Sequence, residues 1–300
     1  MTVPTIPEIS FKDLKVNNSA AIQSLSSALH EHGFVTFVEH GISSSLLDAY
    51  NISKEFFALP TEIKQIYARP ETGGARGYTQ FGKETAVGES VPDLKEFWHH
   101  GPDIDASYDP RIRENLPIEE LKEFNIICAQ LFKELHTLGV SVLRSIALIL
   151  SKPENFFDTW VEKGNSVLRL IHYPAVTDKS NLLRARAHAD INLITLLVGA
   201  EESGLEVQHH DGSWIPIEAA SKSIVCNIGD MMQLVTRGQL KSTIHRVVDY
   251  NLGSPKPRYS IPFFLHPSPD IILRSIVDDS KESVSAHDFL EERIREIKLY

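Results

Sequence analysis

Two histidines and one aspartate have the residue types and the spacing of metal ligands on a sheet. His188 and Asp190 are two positions apart beside strand-like sequence, so their side chains are expected to lie on the same face. His245 lies on a later predicted strand, which antiparallel folding could bring against the first pair. Two imidazoles and one carboxylate suit iron(II), because such a facial set leaves positions open for a bidentate oxo acid and for dioxygen. The spacing therefore predicts an iron(II) site made of His188, Asp190 and His245.

A second His-x-Asp pattern competes with the first. His209, His210 and Asp211 precede Gly212 in a predicted tight turn, where aspartate is favoured because it hydrogen-bonds the local backbone. The chain has 13 histidines, so a His-x-Asp pattern by itself is a weak signal. The turn favours a structural role for Asp211, and the assignment of His188 depends on further matches.

Arg258 and Ser260 supply such a match. They are two positions apart on the strand predicted after His245, so both side chains are expected on one face. A guanidinium binds a carboxylate through two charge-assisted bonds, and a serine hydroxyl can add a third. A surface salt bridge would be the better explanation of an isolated Arg-x-Ser pattern, but not of one that follows the third metal ligand. The pair is predicted to anchor the distal carboxylate of 2-oxoglutarate.

Further motifs accompany these residues along nearly the whole chain. The N-terminal part contains His32-Gly33-Phe34, His40-Gly41-Ile42 and Phe56-Phe57-Ala58-Leu59-Pro60. The core contains His172-Tyr173-Pro174, His188-Ala189-Asp190 with Thr195-Leu196-Leu197, Asn227-Ile228-Gly229-Asp230, Ser242-Thr243-Ile244-His245-Arg246-Val247 and Arg258-Tyr259-Ser260. In order and spacing, this series resembles the isopenicillin N synthase-like branch of the 2-oxoglutarate and iron(II)-dependent dioxygenases.

The resemblance implies roles for Tyr173 and Phe264, and strand alternation adds Arg169. Tyr173 would contact 2-oxoglutarate through its hydroxyl group. Arg169 precedes it on the same predicted strand face and would be a second cation near the cosubstrate. Phe264 resembles an aromatic residue that packs against substrate in relatives, although a plain core phenylalanine fits equally well.

The implied activity is oxidation of a small molecule, by hydroxylation or a related C–H oxidation, with release of succinate and CO2. It would use Fe(2+), 2-oxoglutarate as cosubstrate and O2, with ascorbate as an accessory reductant. One alternative is an iron oxidase of the isopenicillin N synthase type, which uses no 2-oxoglutarate and in which Arg258 and Ser260 hold a substrate carboxylate. The other is a relative that binds a small molecule without turnover. Ala189 stands where threonine is common, and Ile171-His172 replaces the Asn-Tyr of the plant branch, so plant substrates cannot be transferred to this chain.

The elements that must position these residues predict a β-rich α+β fold. Short apolar segments separated by turn signals begin near Ser166 and predict about eight strands, typical of a jelly roll. A 3.6-residue apolar repeat over 118–150 predicts a long supporting helix, and 286–300 also has a helical pattern. The strands are predicted at Val167–Tyr173, Leu193–Val198, Leu205–Gln208, Trp214–Ile217, Ile224–Ile228, Met232–Val235, Thr243–Val248 and Tyr259–Leu265.

The domain prediction is a single domain over residues 1–300. A helical N-terminal region would span 1–115, and a double-stranded β-helix core carrying the iron site would span 160–270. The irregular segment 71–110 is too long for a simple connection and is predicted to be a substrate loop. Candidate contacts in this segment receive no role, and Arg184 and Arg186 are interpreted as an exposed strand end; the candidates are Arg76, Tyr78, Phe81, Trp98, His99 and His100.

Composition limits the classes of partner. The net charge of -10 repels polyphosphate, so nucleic acid is not expected as a partner. The longest apolar runs are too short to cross a bilayer, and the N-terminus lacks the pattern of a secretory signal. Cys128 and Cys226 form no Cys-x-x-Cys pair, which fits a reducing compartment. These features predict a cytoplasmic monomer that acts on a small molecule without a membrane.

Overall fold

The computed structural model of the protein describes residues 5–84, 92–175, 183–198, 204–217, 223–249 and 256–296. Helices are present near the N-terminus, after residue 118 and from residue 286, as the apolar spacing predicts. Residues 85–91 of the predicted substrate loop and residues 297–300 of the predicted terminal helix lie outside the described residues. The helices are α1 (Phe11–Lys15), α2 (Ser19–Glu31), α3 (Ser43–Phe57), α4 (Thr61–Ile66), α5 (Phe124–Ile149), α6 (Asp158–Val161), α7 (Asp230–Val235) and α8 (Ala286–Glu296), with a 3₁₀ turn at Pro70–Thr72.

The strands of the described ranges form one large sheet, one smaller sheet and a two-stranded ribbon. They are β1 (Glu8–Ser10), β2 (Phe34–Val38), β3 (Gly77–Thr79), β4 (Glu96–His100), β5 (Val167–Tyr173), β6 (Leu183–His188), β7 (Ile194–Val198), β8 (Leu205–Gln208), β9 (Trp214–Pro216), β10 (Ile224–Ile228), β11 (His245–Val248), β12 (Arg258–Leu265), β13 (Ile272–Arg274) and β14 (Ser283–Ser285). The large sheet has the order β1-β2-β10-β7-β12-β5-β4-β3, and the smaller sheet has the order β6-β11-β8-β9.

The large and small sheets face each other around an inner core, which makes the jelly roll that the sequence predicts. The large sheet contributes Phe97 and Tyr173 to this core, and the small sheet contributes Val207 and Val247. Side chains alternate along β12, so Ile261, Phe263 and Leu265 pack toward the helices. The other face of the same strand, which carries Arg258, Ser260 and Phe264, points toward the inner core.

Helix α5 covers the outer face of the large sheet. Leu131, Leu135 and Val142 recur at helical spacing on its buried side. Phe132 packs edge-on against Phe263 of β12, with ring centroids 5.0 Å apart. By length and apolar composition alone α5 could cross a membrane, but in this fold its apolar face covers the sheet.

The large sheet does not begin near Ser166, contrary to expectation. It also contains β1 and β2 from the N-terminal part, and β3 and β4 from the segment 71–110 that the sequence predicts to be irregular. Strand β3 has three residues, and every residue of β4 is buried, so neither shows the apolar alternation of a half-exposed strand. Part of the predicted substrate loop is therefore edge sheet.

Two further strand predictions need correction. The strand predicted at Met232–Val235 is wrong, because α7 occupies these residues. Met231, Met232 and Val235 are its buried face, and a short apolar run does not separate helix from strand. Strand β6 is not among the predicted strands, because Arg184 and Arg186 interrupt its apolar pattern.

Candidate active site

The three predicted metal ligands lie together at one end of the small sheet. His188 is the last residue of β6, His245 is the first residue of β11, and the two are direct partners in the antiparallel register. Their ring centroids are 4.4 Å apart, and His245 Nε2 lies 3.8 Å from Asp190 Oδ1. The possible ligand atoms of His188, Asp190 and His245 all lie within 4.8 Å of one another. His245 is far from Asp190 along the chain, and the pairing of β6 with β11 brings the two side chains together.

Backbone carbonyl groups fix the orientation of both imidazoles. His188 Nδ1 donates to the Arg186 carbonyl oxygen at 2.7 Å, and His245 Nδ1 donates to the Thr243 carbonyl oxygen at 3.2 Å. Because a carbonyl oxygen only accepts, each Nδ1 carries the proton and each Nε2 lone pair is left for a metal. Burial, and to a smaller extent the nearby His245, lowers the pKa of His188 to about 4, so this ring is neutral at neutral pH, the form in which an imidazole can bind a metal.

Asp190 is held in an equally defined way. Its Oδ2 accepts hydrogen bonds from Thr195 Oγ1 at 2.6 Å and from Asn227 Nδ2 at 2.8 Å, which leaves Oδ1 facing the histidines. Burial alone would raise the pKa of Asp190, but the two histidines and these hydrogen bonds lower it. Two oriented imidazoles and one oriented carboxylate oxygen fit iron(II) and leave coordination positions for small molecules.

The competing cluster lies in the hairpin turn between β8 and β9. The possible ligand atoms of His209, His210 and Asp211 also lie within 4.8 Å of one another. Asp211 Oδ1, however, accepts hydrogen bonds from the backbone nitrogen of Ser213 at 2.9 Å and from its hydroxyl at 2.6 Å. The carboxylate therefore stabilises the turn, in the way that the Asp-Gly sequence predicts.

The predicted cosubstrate anchor faces the inner core. Arg258 and Tyr173 are direct partners across β12 and β5, and the guanidinium carbon lies 5.5 Å from the tyrosine ring centroid. Ser260 is opposite Ile171 in the same register. The side chains of Arg258 and Ser260 are buried, so a carboxylate bound there would be shielded from water, where charge-assisted hydrogen bonds are strong.

Arg169 lies in the same wall but already has protein partners. Its Nη1 lies 3.2 Å from Glu84 Oε1, and its Nε donates to His99 Nε2 at 2.6 Å. The guanidinium carbon is also 5.2 Å from the Phe264 ring centroid. Phe264 lies opposite Thr195 in the register of β12 with β7, and Thr195 is the residue that bonds Asp190. Arg169 and Phe264, the two predicted pocket residues, are thus close to the predicted metal ligands.

A cavity of about 900 Å³ opens at this end of the jelly roll. His188, Asp190 and Phe264 line it, and α8 contributes part of its outer wall. Of the candidate contacts in the segment 71–110, Arg76 and His99 line the cavity, Tyr78 and Trp98 belong to the core under the helices, and Phe81 is 45% exposed. The volume is in the range of small-molecule sites.

A network of buried charges forms the side of the cavity next to His188. Lys95 Nζ lies 2.5 Å from Glu84 Oε2 and 2.9 Å from Asp93 Oδ2, and Arg186 Nη1 lies 3.5 Å from Asp93 Oδ1. Burial alone would raise the pKa of Glu84, but the charges of Arg169 and Lys95 hold it below its usual range. The network joins Glu84, Asp93 and Lys95 to Arg169 of β5 and Arg186 of β6.

The two arginines before His188 are therefore not an exposed strand end, contrary to expectation. Arg184 is 5% exposed and pairs with Asp249 at 2.7 Å, and Arg186 is 9% exposed. Their partners come from distant segments, which a basic sequence pattern cannot reveal. Through these ion pairs, both arginines stabilise the position of β6.

Replacing Glu84 with glutamine is expected to lower the free energy of unfolding by about 3 kcal/mol, because Lys95 and Arg169 would lose a shared buried counter-charge. The measurement is urea unfolding of the metal-free protein. Asp158→Asn is the matched control, since it breaks the more exposed Arg144–Asp158 pair and should cost less than about 1 kcal/mol. An equal loss of unfolding free energy in the two variants would contradict the prediction that the buried network stabilises the fold more than the exposed pair does.

Comparison with known proteins places this geometry in one family. The sequence profile of the 2OG-Fe(II) oxygenase superfamily matches residues 164–267, and the profile described as the N-terminal part of non-haem dioxygenase in morphine synthesis matches residues 6–120. The 2-oxoglutarate-dependent dioxygenase citB of Monascus ruber is 34% identical over 281 residues, which cover 87% of this chain and 83% of that protein.

Solved structures agree with the sequence relatives. The crystal structure of a Caulobacter crescentus protein of the 2OG-Fe(II) oxygenase family is 40% identical, with a TM-score of 0.88 over 99% of this chain and 100% of that chain. A full-length Neurospora crassa protein, crystallised in complex with alpha-KG and thymine, is 26% identical, with a TM-score of 0.85 over 97% of this chain and 96% of that chain. The chain therefore belongs to the 2-oxoglutarate and iron(II)-dependent oxygenase superfamily and is an iron(II)/2-oxoglutarate-dependent dioxygenase that acts on a small molecule.

Proposed function

We propose that His188, Asp190 and His245 hold the catalytic iron through two Nε2 atoms and one carboxylate oxygen. The observation that carries this assignment is the set of hydrogen bonds that turns all three donor atoms toward one point. When bound, iron and 2-oxoglutarate together supply the oxidising chemistry, in which dioxygen is consumed, the oxo acid becomes succinate and CO2, and a substrate C–H bond is oxidised. The protein supplies orientation and a shielded cavity.

We also propose that Arg258 and Ser260 bind the distal carboxylate of 2-oxoglutarate, with Tyr173 donating a further hydrogen bond. The two β12 residues share one face of the strand, and the register places Tyr173 beside Arg258. Arg169 would act from the wall, where its charge is shared with Glu84. Phe264 would pack against substrate, because it lines the cavity opposite the residue that supports Asp190.

The setting of this reaction is a further part of the proposal. We propose a monomer in the cytoplasm that acts without a membrane and without nucleic acid, and the net charge of -10 supports the last of these points because it repels polyphosphate. The chemistry of the site requires the small-molecule substrate, but it does not depend on the oligomeric state or on the cellular location of the protein.

The experiment that tests the proposal measures succinate. Anaerobically purified protein is given iron(II), ascorbate, 2-oxoglutarate and air, and parallel samples omit iron or 2-oxoglutarate. Succinate that requires both additions is expected, because the oxo acid is cleaved even without a matched substrate in uncoupled turnover. Oxygen consumption that continues at the same rate without 2-oxoglutarate would contradict the proposal and favour an oxidase that holds a substrate carboxylate at Arg258.

A further inference from the structure

Arg76 is a buried guanidinium in the wall of the active-site cavity. It precedes β3 and is 2% exposed. Its Nη1 donates to the carbonyl oxygen of Ala75 at 2.6 Å, its Nη2 donates to Asn165 Oδ1 at 3.0 Å, and its Nε has no hydrogen-bond partner among the described residues. The guanidinium lies directly on Gly101, where any side chain would collide with it. The fold thus makes room for this cation and holds it in place with neutral oxygen atoms.

Arg76 has no carboxylate partner in the described part of the chain, where no acidic oxygen lies within 4.0 Å of it. Three other buried cations of the described ranges do have such a partner: Lys64 pairs with Glu96, Lys95 with Glu84, and Arg184 with Asp249. Burial lowers the pKa of the Arg76 guanidinium to about 10, so the group is still charged at neutral pH. A buried charge of this kind is costly unless an opposite charge is brought to it.

Two histidines near Arg76, His99 in the cavity wall and the buried His100, do not supply that charge. His99 donates from Nδ1 to the carbonyl oxygen of Gly74 at 2.7 Å and accepts from Arg169 at Nε2, so its ring is neutral. Burial lowers the pKa of His100 to about 3, and this ring is neutral as well. These neighbours of Arg76 therefore offer hydrogen-bonding groups but no negative charge.

Arg76 also lies at the end of the jelly roll that holds the metal ligands. Its partner Asn165 donates from the backbone to the carbonyl oxygen of Pro267, just after β12. Phe264, three positions before Pro267, is opposite Thr195, which bonds Asp190. Arg76, His188 and Asp190 line the same cavity. A molecule bound there can contact the guanidinium while one of its carbon atoms faces the metal ligands.

We propose that Arg76 binds a carboxylate group of the substrate, so that this dioxygenase oxidises a small monocarboxylic acid. The inference rests on the proposed function of the site, because the substrate must share the cavity with 2-oxoglutarate. One guanidinium that lacks a counter-ion among the described residues matches one negative charge, and its planar fork matches the planar carboxylate. A dianionic phosphate would call for further cations, and the neighbouring Arg169 already shares its charge with Glu84.

The test compares acids with their uncharged amides on the complete enzyme. The protein is loaded anaerobically with iron(II) and saturating 2-oxoglutarate, so that Arg258 is occupied and no turnover begins. Titration calorimetry then measures the binding of octanoate, phenylacetate and cinnamate, each against octanamide, phenylacetamide or cinnamamide. At least one acid is expected to bind about 30-fold more tightly than its amide, because an unpaired buried charge is costly.

Arg76→Met should remove this preference to within about threefold, and Arg76→Lys should restore part of it. The matched control is Arg113→Met, which removes an exposed cation from the rim of the same cavity and should leave the preference intact. Arg76→Met should fold at least as stably as the parent, because it removes a buried charge that lacks a counter-ion in the described structure.

Several results would overturn the inference. These are equal binding of acids and amides, no binding of any acid, or a preference that persists in Arg76→Met. Weaker binding of 2-oxoglutarate by Arg76→Met would instead assign Arg76 to the cosubstrate. Succinate formation by the parent is measured separately, so a failure here with succinate still formed rejects only the carboxylate inference and not the proposed function.

Discussion

His188→Ala is expected to abolish 2-oxoglutarate-dependent succinate formation, with a loss well beyond about 100-fold. Changes to groups that merely orient a metal ligand cost about 10- to 100-fold in metal affinity or activity, and this substitution removes a ligand itself. The direct measurements are succinate formation and iron(II) affinity of the purified variant. Both should fall together, while the circular dichroism spectrum stays that of the parent.

His210→Ala is the matched control for this substitution. His210 belongs to the second cluster of possible metal ligands, in the turn between β8 and β9. Because Asp211 is engaged by Ser213, we expect this variant to keep iron affinity and succinate formation within about twofold of the parent. Loss of activity in His210→Ala with activity retained in His188→Ala would move the iron site to the turn.

The cluster of His188, Asp190 and His245 was predictable because part of its signal is local. His188 and Asp190 are neighbours on one strand face, and the motifs around His245 and Arg258 add order and spacing that chance patterns lack. The supporting groups give a weaker signal. Thr195 and Asn227 occur in recognisable motifs, but their bonds to Asp190 depend on how β7 and β10 lie beside it, which the sequence does not state.

The charges of the cavity wall could not be predicted for a related reason. Glu84 and Lys95 are separated along the chain from Arg169, and only the placement of β4 beside β5 brings the three together. Strand β4 itself gives no alternating pattern, because it is buried on both faces. Arginine is usually a surface residue, so the sequence alone does not single out Arg76. The inference about Arg76 depends on its burial without a carboxylate partner among the described residues.

The fold was predicted best where apolar periodicity is long. Helix α5 has regular apolar spacing along its length, and the structure confirms it. Helix α7 is a short run in which Met232 and Val235 fit a strand as well as a helix. The first residue of this helix is held by a contact outside it, because the backbone nitrogen of Asp230 donates to the carbonyl oxygen of Asp190 at 2.7 Å. Such a segment is decided by tertiary structure.

Arg258→Met is expected to raise the KM for 2-oxoglutarate by about 30- to 1000-fold, because the buried carboxylate of the cosubstrate would lose its cationic partner. At saturating 2-oxoglutarate the kcat should change much less, since the anchor lies at the distal carboxylate and holds ground state and transition state alike. Arg258→Lys should give an intermediate KM, because lysine keeps the charge but not the bidentate geometry.

The control for Arg258 is Arg274→Met, which removes an exposed arginine on β13 and should leave the KM unchanged. Direct binding of 2-oxoglutarate to the anaerobic iron(II) protein separates the two roles that the sequence leaves open for Arg258. Binding that weakens in parallel with the rise in KM supports the cosubstrate anchor. Unchanged binding would mean that another cation holds the oxo acid, with Arg169 the next candidate, because it lies in the same wall and would then exchange Glu84 for the cosubstrate.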